Sequence, residues 1–158
     1  MTQRDIVEVL ENWPQPDSGA PSPRVSADEY RLVVCYIASG GLYAVVEFPL
    51  CHQFTFGDPN DETLNSRPLY EHGLKFYSVH RVRNSSRLAA LERANSVHPR
   101  HDATSFLRHK EHYVFTFHDS TLECLVTSDE RSQPRVNAFA SPAEANAALH
   151  ARVAQPRV

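Results

Sequence analysis

The chain has 158 residues, the length of one ordinary domain, and 41% of them are apolar, which is enough for one sizeable core and excludes disorder throughout. With 22% charged residues and a net charge of −3 it is neither a basic nucleic-acid packager nor an acidic solvating tail. No apolar stretch approaches the eighteen or so residues of a membrane span. The first residues lack the charged-then-apolar order of a signal peptide, and three cysteines at no metal spacing fit a reducing cytoplasm.

In chain order, Ile6, Val9, Leu10 and Trp13 recur at helical spacing, so residues 3–12 are expected to form an amphipathic helix, with Thr2 as its cap. Residues 14–27 contain four prolines and several serines and read as an extended linker. A compact domain is expected over 28–154. Residues 29–38 form a β-rich run, broken by Ser39-Gly40-Gly41. A second run covers 42–56, in which Leu42, Ala44, Val46, Phe48, Leu50, Phe54 and Phe56 share one face of a strand, with a bulge or edge at Pro49. The polar stretch 57–67 reads as a solvated loop. A third strand is expected over 74–82, a helix over 86–96 capped by Asn84-Ser85-Ser86, and irregular chain over 99–110. Residues 112–118 and 121–127 alternate with period two and form a hairpin. Residues 136–140 could add an edge strand. Ser141-Pro142-Ala143-Glu144 is a capping box opening a helix that runs to about Val153.

Short turns between strands argue for an α+β fold: a single, mainly antiparallel sheet of five or six strands with two or three helices on one face. The N-terminal arm could pack on a second copy and give a homodimer.

Histidine is the unusual component, nine in all and seven of them between His72 and His118. If Asp119 and Ser120 form the hairpin turn, Tyr113, Phe115, Phe117, Leu122, Cys124 and Val126 face the core. His112, Thr116, His118, Thr121 and Glu123 then share the other face, which is either the solvent side or the lining of a pocket. In that register His118 and Glu123 lie diagonally across neighbouring strands, within side-chain reach. A His–carboxylate pair suits a general base, with Asp119 and His112 as nearby support. The same residues could join His98 or His101 in a two-His, one-carboxylate metal set. No HExxH and no cysteine-finger spacing accompanies them, and no organic-cofactor motif is present.

Residues 72–113 carry a net charge of +5 against −8 for the rest of the chain, and Arg81, Arg83 and Arg87 could converge on an anion near a helix start. No RRM or KH signature makes this a nucleic-acid surface. His52 shares the parity of Leu50 and Phe54 and is expected to be buried, or to line a pocket. Cys124 reads as an inert core thiol, and Cys51 as a thiol that a histidine could activate. Two functions follow as expectations. One is an enzyme acting on a small polar or anionic metabolite through the His/carboxylate hairpin. The other is a non-enzymatic binding or accessory protein that contacts a protein partner.

Overall fold

The computed structural model describes residues 4–154. Its strands and helices, in chain order, are β1 (Ile6–Val9), β2 (Arg24–Ala27), β3 (Leu32–Ile37), β4 (Tyr43–Phe48), β5 (Cys51–Gly57), β6 (Val79–Arg83), α1 (Ser86–Asn95), α2 (Ala103–Leu107), β7 (Lys110–Thr116), β8 (Thr121–Thr127), β9 (Arg135–Phe139) and α3 (Pro142–Ala154). Short 3-10 turns cover Ser39–Gly41, Asp61–Ser66 and Pro68–His72.

The strands form two antiparallel sheets, not one. The first has the order β1-β6-β7-β8-β5 and the second β2-β3-β4-β9. The expected single strand over 42–56 divides at Pro49-Leu50. β4 belongs to the second sheet and β5 to the first, so the chain crosses between sheets where proline cannot donate a ladder hydrogen bond. The main core lies between the sheets. Leu32, Val34, Tyr36, Ala44, Val46 and Phe48 of β3 and β4 meet Tyr113, Phe115, Leu122, Cys124 and Val126 of β7 and β8, with Phe117 beyond them.

Both sheets are also covered on their outer faces, which is why the central strands are buried on both sides. On the second sheet, Ala145 and Leu149 of α3 pack on Val33, Cys35 and Val45. On the first, Leu64, Leu69 and Leu74 pack on Val7, Val82 and Val114. The expectation of helices on one face therefore fails, because each sheet needs its own cover.

The helix expected over 3–12 is instead β1, antiparallel to β6; the cap at Thr2 lies outside the described residues. Three of its four residues are the β-branched Ile6, Val7 and Val9, which favour a pleated strand once a sheet edge is offered. Gln15 then ties the proline-rich stretch down. Its amide donates to the carbonyls of Leu10 (2.7 Å) and Trp13 (2.8 Å), and its oxygen accepts from the Val79 N–H at 2.9 Å. Trp13 stacks on Tyr113 at 5.4 Å, and β2 pairs with β3, so the stretch expected as a linker supplies an edge strand. The third strand is shorter than expected, beginning at Val79, and α2 occupies part of the stretch expected to be irregular. The helix capped by Ser85, the β9 edge strand and the helix from Pro142 stand as read. Among the described residues, no helix is long and apolar enough to cross a membrane.

Candidate functional site

The β7–β8 hairpin keeps the expected faces but not the expected register. Val114 lies opposite Glu123, Phe115 opposite Leu122 and Thr116 opposite Thr121. The loop is the four residues Phe117 to Ser120, closed by the Phe117 N–H donating to the Ser120 carbonyl at 2.9 Å. Every pair is shifted by two residues from the sequence expectation. A shift of two preserves which side chains face the core, whereas a shift of one would invert them. It changes the diagonal neighbours, however. Glu123 now meets His112 and not His118.

The outer face of the hairpin is neither a solvent face nor an open pocket lining. His112, Thr116, Thr121 and Glu123 are all buried beneath the covering segments. Glu123 Oε1 accepts from His112 Nε2 at 2.7 Å and pairs with Arg87 Nη1 at 3.0 Å, while Oε2 pairs with Arg67. His112 Nδ1 lies 2.7 Å from Ser85 Oγ, and that oxygen caps α1 by accepting from the Leu88 N–H at 3.1 Å. Burial, with Arg87 adding to it, pushes the His112 pKa down to about 3, so the ring is neutral. Because Glu123 can only accept, Nε2 carries the proton and Nδ1 accepts from the Ser85 hydroxyl.

Serine, imidazole and carboxylate in that order have the connectivity of a nucleophilic relay. The chemistry opposes that use. Ser85 is buried and committed as a helix cap, His112 is too weak a base near neutral pH, and two guanidiniums hold the carboxylate. The network instead fastens three elements together: Arg67 at the end of a 3-10 turn, Ser85 and Arg87 at the start of α1, and the hairpin. His80 acts similarly. Its Nδ1–H donates to the Val114 carbonyl and its Nε2 accepts from the Lys75 N–H, both at 3.0 Å. Burial pushes its pKa down to about 4.

His118 sits at the hairpin tip in different company. Its Nδ1 is 2.9 Å from Asp119 Oδ1, and its Nε2 is 3.7 Å from Asp61 Oδ2. The Tyr77 hydroxyl donates to the same Asp61 oxygen at 2.6 Å, and the Tyr77 ring stacks over the imidazole at 6.5 Å. The hydrogen bond to Asp119, then the charge of Asp61, raises the His118 pKa above its ordinary value. Tyr77 holds a φ of +49°, a left-handed conformation that is costly for so bulky a residue. Beyond it the rings continue from Tyr77 to Phe76 (5.9 Å) and from Phe76 to Tyr70 (6.2 Å), both of them exposed. Sequence reading missed Tyr77 and Asp61. Tyr77 fell inside an expected strand, Asp61 inside a loop read as solvated, and no local pattern links either to His118.

The remaining candidates are dispersed. Arg83 pairs with Glu8 at 2.7 Å and Arg81 lies between Glu8 and Glu111, while Arg87 turns inward to Glu123, so the three arginines do not converge. His101 bonds Glu92 at 2.6 Å and Asn95 at 2.9 Å, while His98 accepts from the Arg100 N–H. Among the described residues, no group of three or more His, Cys, Asp or Glu is placed to hold a metal ion. His52 is exposed and not buried, because the register interruption between Cys51 and Gln53 takes it off the face of Phe54; its Nε2 lies 2.7 Å from Thr127 Oγ1, and it lines an open cleft, the other half of its expectation. Burial raises the Cys51 thiol to about 11, and Cys124 is fully buried with its thiol also pushed up, so neither is activated; all three cysteines are free. A cavity of about 150 Å³ lies beside Arg24, Cys35, Tyr36 and Pro142, and an open cleft of about 400 Å³ beside His52, Leu91 and Phe106. Neither contains His112, His118 or Glu123. Comparison of the chain with protein-family models, curated proteins and solved structures gives no significant match.

Proposed function

We propose that the chain is a non-enzymatic binding protein that contacts a protein partner through the hairpin tip. The contact residues are Tyr70, Phe76, Tyr77 and His118, with Asp61 and Asp119. The observation that carries this reading is the continuous series of four rings, two of them exposed and one held in a strained backbone conformation, bordered by carboxylates. Rigid aromatic side chains bury much area on binding at little entropic cost, and they anchor many protein interfaces. A partner presenting Arg or Lys would stack its cations on these rings and pair with Asp119.

A second reading keeps the enzyme. His118, with its pKa raised by two carboxylates, would exchange protons with a small polar molecule. Glu123 has no part in it, because it is engaged elsewhere.

Wild-type protein and a Phe76→Ala/His118→Ala variant, offered the same cell extract, distinguish the readings. The expected result is a protein captured by the wild type and lost with the variant, which then binds in purified form at fixed stoichiometry by calorimetry. Equal capture by both would remove the tip as the binding surface. Turnover of a small molecule that disappears with His118→Ala alone would favour the enzyme.

A further inference from the structure

We infer that the free edge of β5 is the pairing surface for a second copy of this chain, in a two-fold antiparallel arrangement that joins the two larger sheets into one. This stands apart from the proposed tip interface. Among the described residues the two sheets have four edges: β1, β2, β9 and β5. β1 and β2 have four residues and β9 has five; each carries a charge, Glu8, Arg24 and Arg135 respectively. Short, charged edges discourage pairing with other chains. β5 is different. It has seven residues, Cys-His-Gln-Phe-Thr-Phe-Gly, with no charge and no proline, and residues 52–56 are all exposed.

The strand is self-complementary. Its register against β8 is interrupted between Cys51 and Gln53 and regular from Gln53 to Gly57, which puts the two-fold axis at Thr55. Antiparallel pairing about that axis sets Thr55 against Thr55, Phe54 against Phe56 and Phe56 against Phe54. Thr–Thr and aromatic pairs are among the stabilising cross-strand combinations, and no like charges oppose one another. Phe54 and Phe56, 41% and 43% exposed, pair with Cys124 and Leu122 within their own sheet and so lie on its inter-sheet face. A second β5 would extend that face and cover both rings, while satisfying the unpaired backbone groups of the edge. A strand occupant is favoured over a compact ligand because an edge offers a row of donors and acceptors rather than a cavity. A second copy is favoured over a charged segment because the strand has no charge to attract one.

Sedimentation of the full chain across a concentration series tests this. The wild type should shift with concentration towards twice its 17.9 kDa mass. Phe54→Lys/Phe56→Lys and Phe54→Glu/Phe56→Glu should each associate at least tenfold more weakly, and an equimolar mixture of the two should recover dimer. Thr55→Cys keeps both rings and so covers the case in which the charged variants fail to fold. Residues opposed in an antiparallel pair have Cα atoms about 4.5–5.5 Å apart, within disulfide reach, so mild oxidation should link the two substituted positions, identified by peptide mapping. A wild type that stays monomeric at 100 µM would overturn the inference. So would folded charged variants whose mixture stays monomeric, or a dimer that forms no link between the substituted positions.

Discussion

Two histidines on one hairpin, six residues apart, have opposite environments. His112 lies under α1 and the 61–72 segment, donates to a carboxylate already held by two arginines, and is neutral with a pKa near 3. His118 lies at the tip, its side chain 42% exposed, between two carboxylates that raise its pKa. Both have an acid within reach, so a carboxylate neighbour does not by itself make a histidine basic. Burial and nearby guanidiniums outweigh it for His112, while solvent exposure and two carboxylates that, among the described residues, have no guanidinium against them decide the matter for His118.

The comparison is broken most severely at Glu123. Glu123→Ala leaves the Arg67 and Arg87 charges without their buried partner and should cost about 3–5 kcal/mol in urea unfolding. Phe115→Ala on the inner face should cost a similar 3–5 kcal/mol by leaving a cavity. A loss below 1 kcal/mol for Glu123→Ala would mean that solvent reaches the outer face.

Acid should act next. The folded pKa values of His80 and His112, near 4 and 3, lie below the unfolded value of 6.5. Between these limits the unfolded chain binds protons that the folded chain refuses, so stability falls as pH falls. The two together should cost on the order of 3 kcal/mol between pH 6.5 and 5. His118 has the opposite sign. Its contribution is complete below 6.5 and is lost as pH rises through its raised folded value. Imidazole proton resonances should therefore show His118 titrating above 6.5 and no titration of His80 or His112 down to pH 5. A His112 resonance that titrates near neutrality would refute the buried network.

Smaller effects sharpen the contrast. Ser85→Ala removes the α1 cap and the hydroxyl donor to His112, and should lower stability by about 1–2 kcal/mol. His118→Ala should leave the unfolding midpoint close to that of wild type by the same measurement, as surface substitutions usually do, while abolishing partner binding. A large loss of stability on changing His118 would reassign the tip as a structural element.

Much of this hairpin was legible before the structure. Period-two alternation assigned Phe115 and Phe117 to the core, and both are buried. The Ser85 cap and the Ser141 capping box marked the starts of α1 and α3. The centre of the loop was not legible, since a two-residue turn at Asp119-Ser120 and a four-residue loop over 118–121 give one register, and the four-residue loop over 117–120 that forms gives another. That ambiguity moved Glu123 from beside His118 to beside His112, and with it the identity of the candidate site. Tyr77 and Asp61 could not be found at all, because their meeting with His118 depends on how residues 61–77 fold back over the sheet.

The sequence by itself determined the faces of its central strands and the caps of its two longer helices. Those features depend on neighbours within a few residues, where alternation and capping chemistry act. The tertiary structure decided that the strands divide into two sheets at Pro49-Leu50, that both outer faces are covered, and that an apolar N-terminal run becomes β1. Each of these turns on which distant segment covers which face. The same outward-pointing His112 and Glu123 would be a wet acid–base pair on a bare sheet. Under α1 and the 61–72 segment they form a dry fastening, because desolvation is set by what lies above a residue rather than by what lies beside it in the chain.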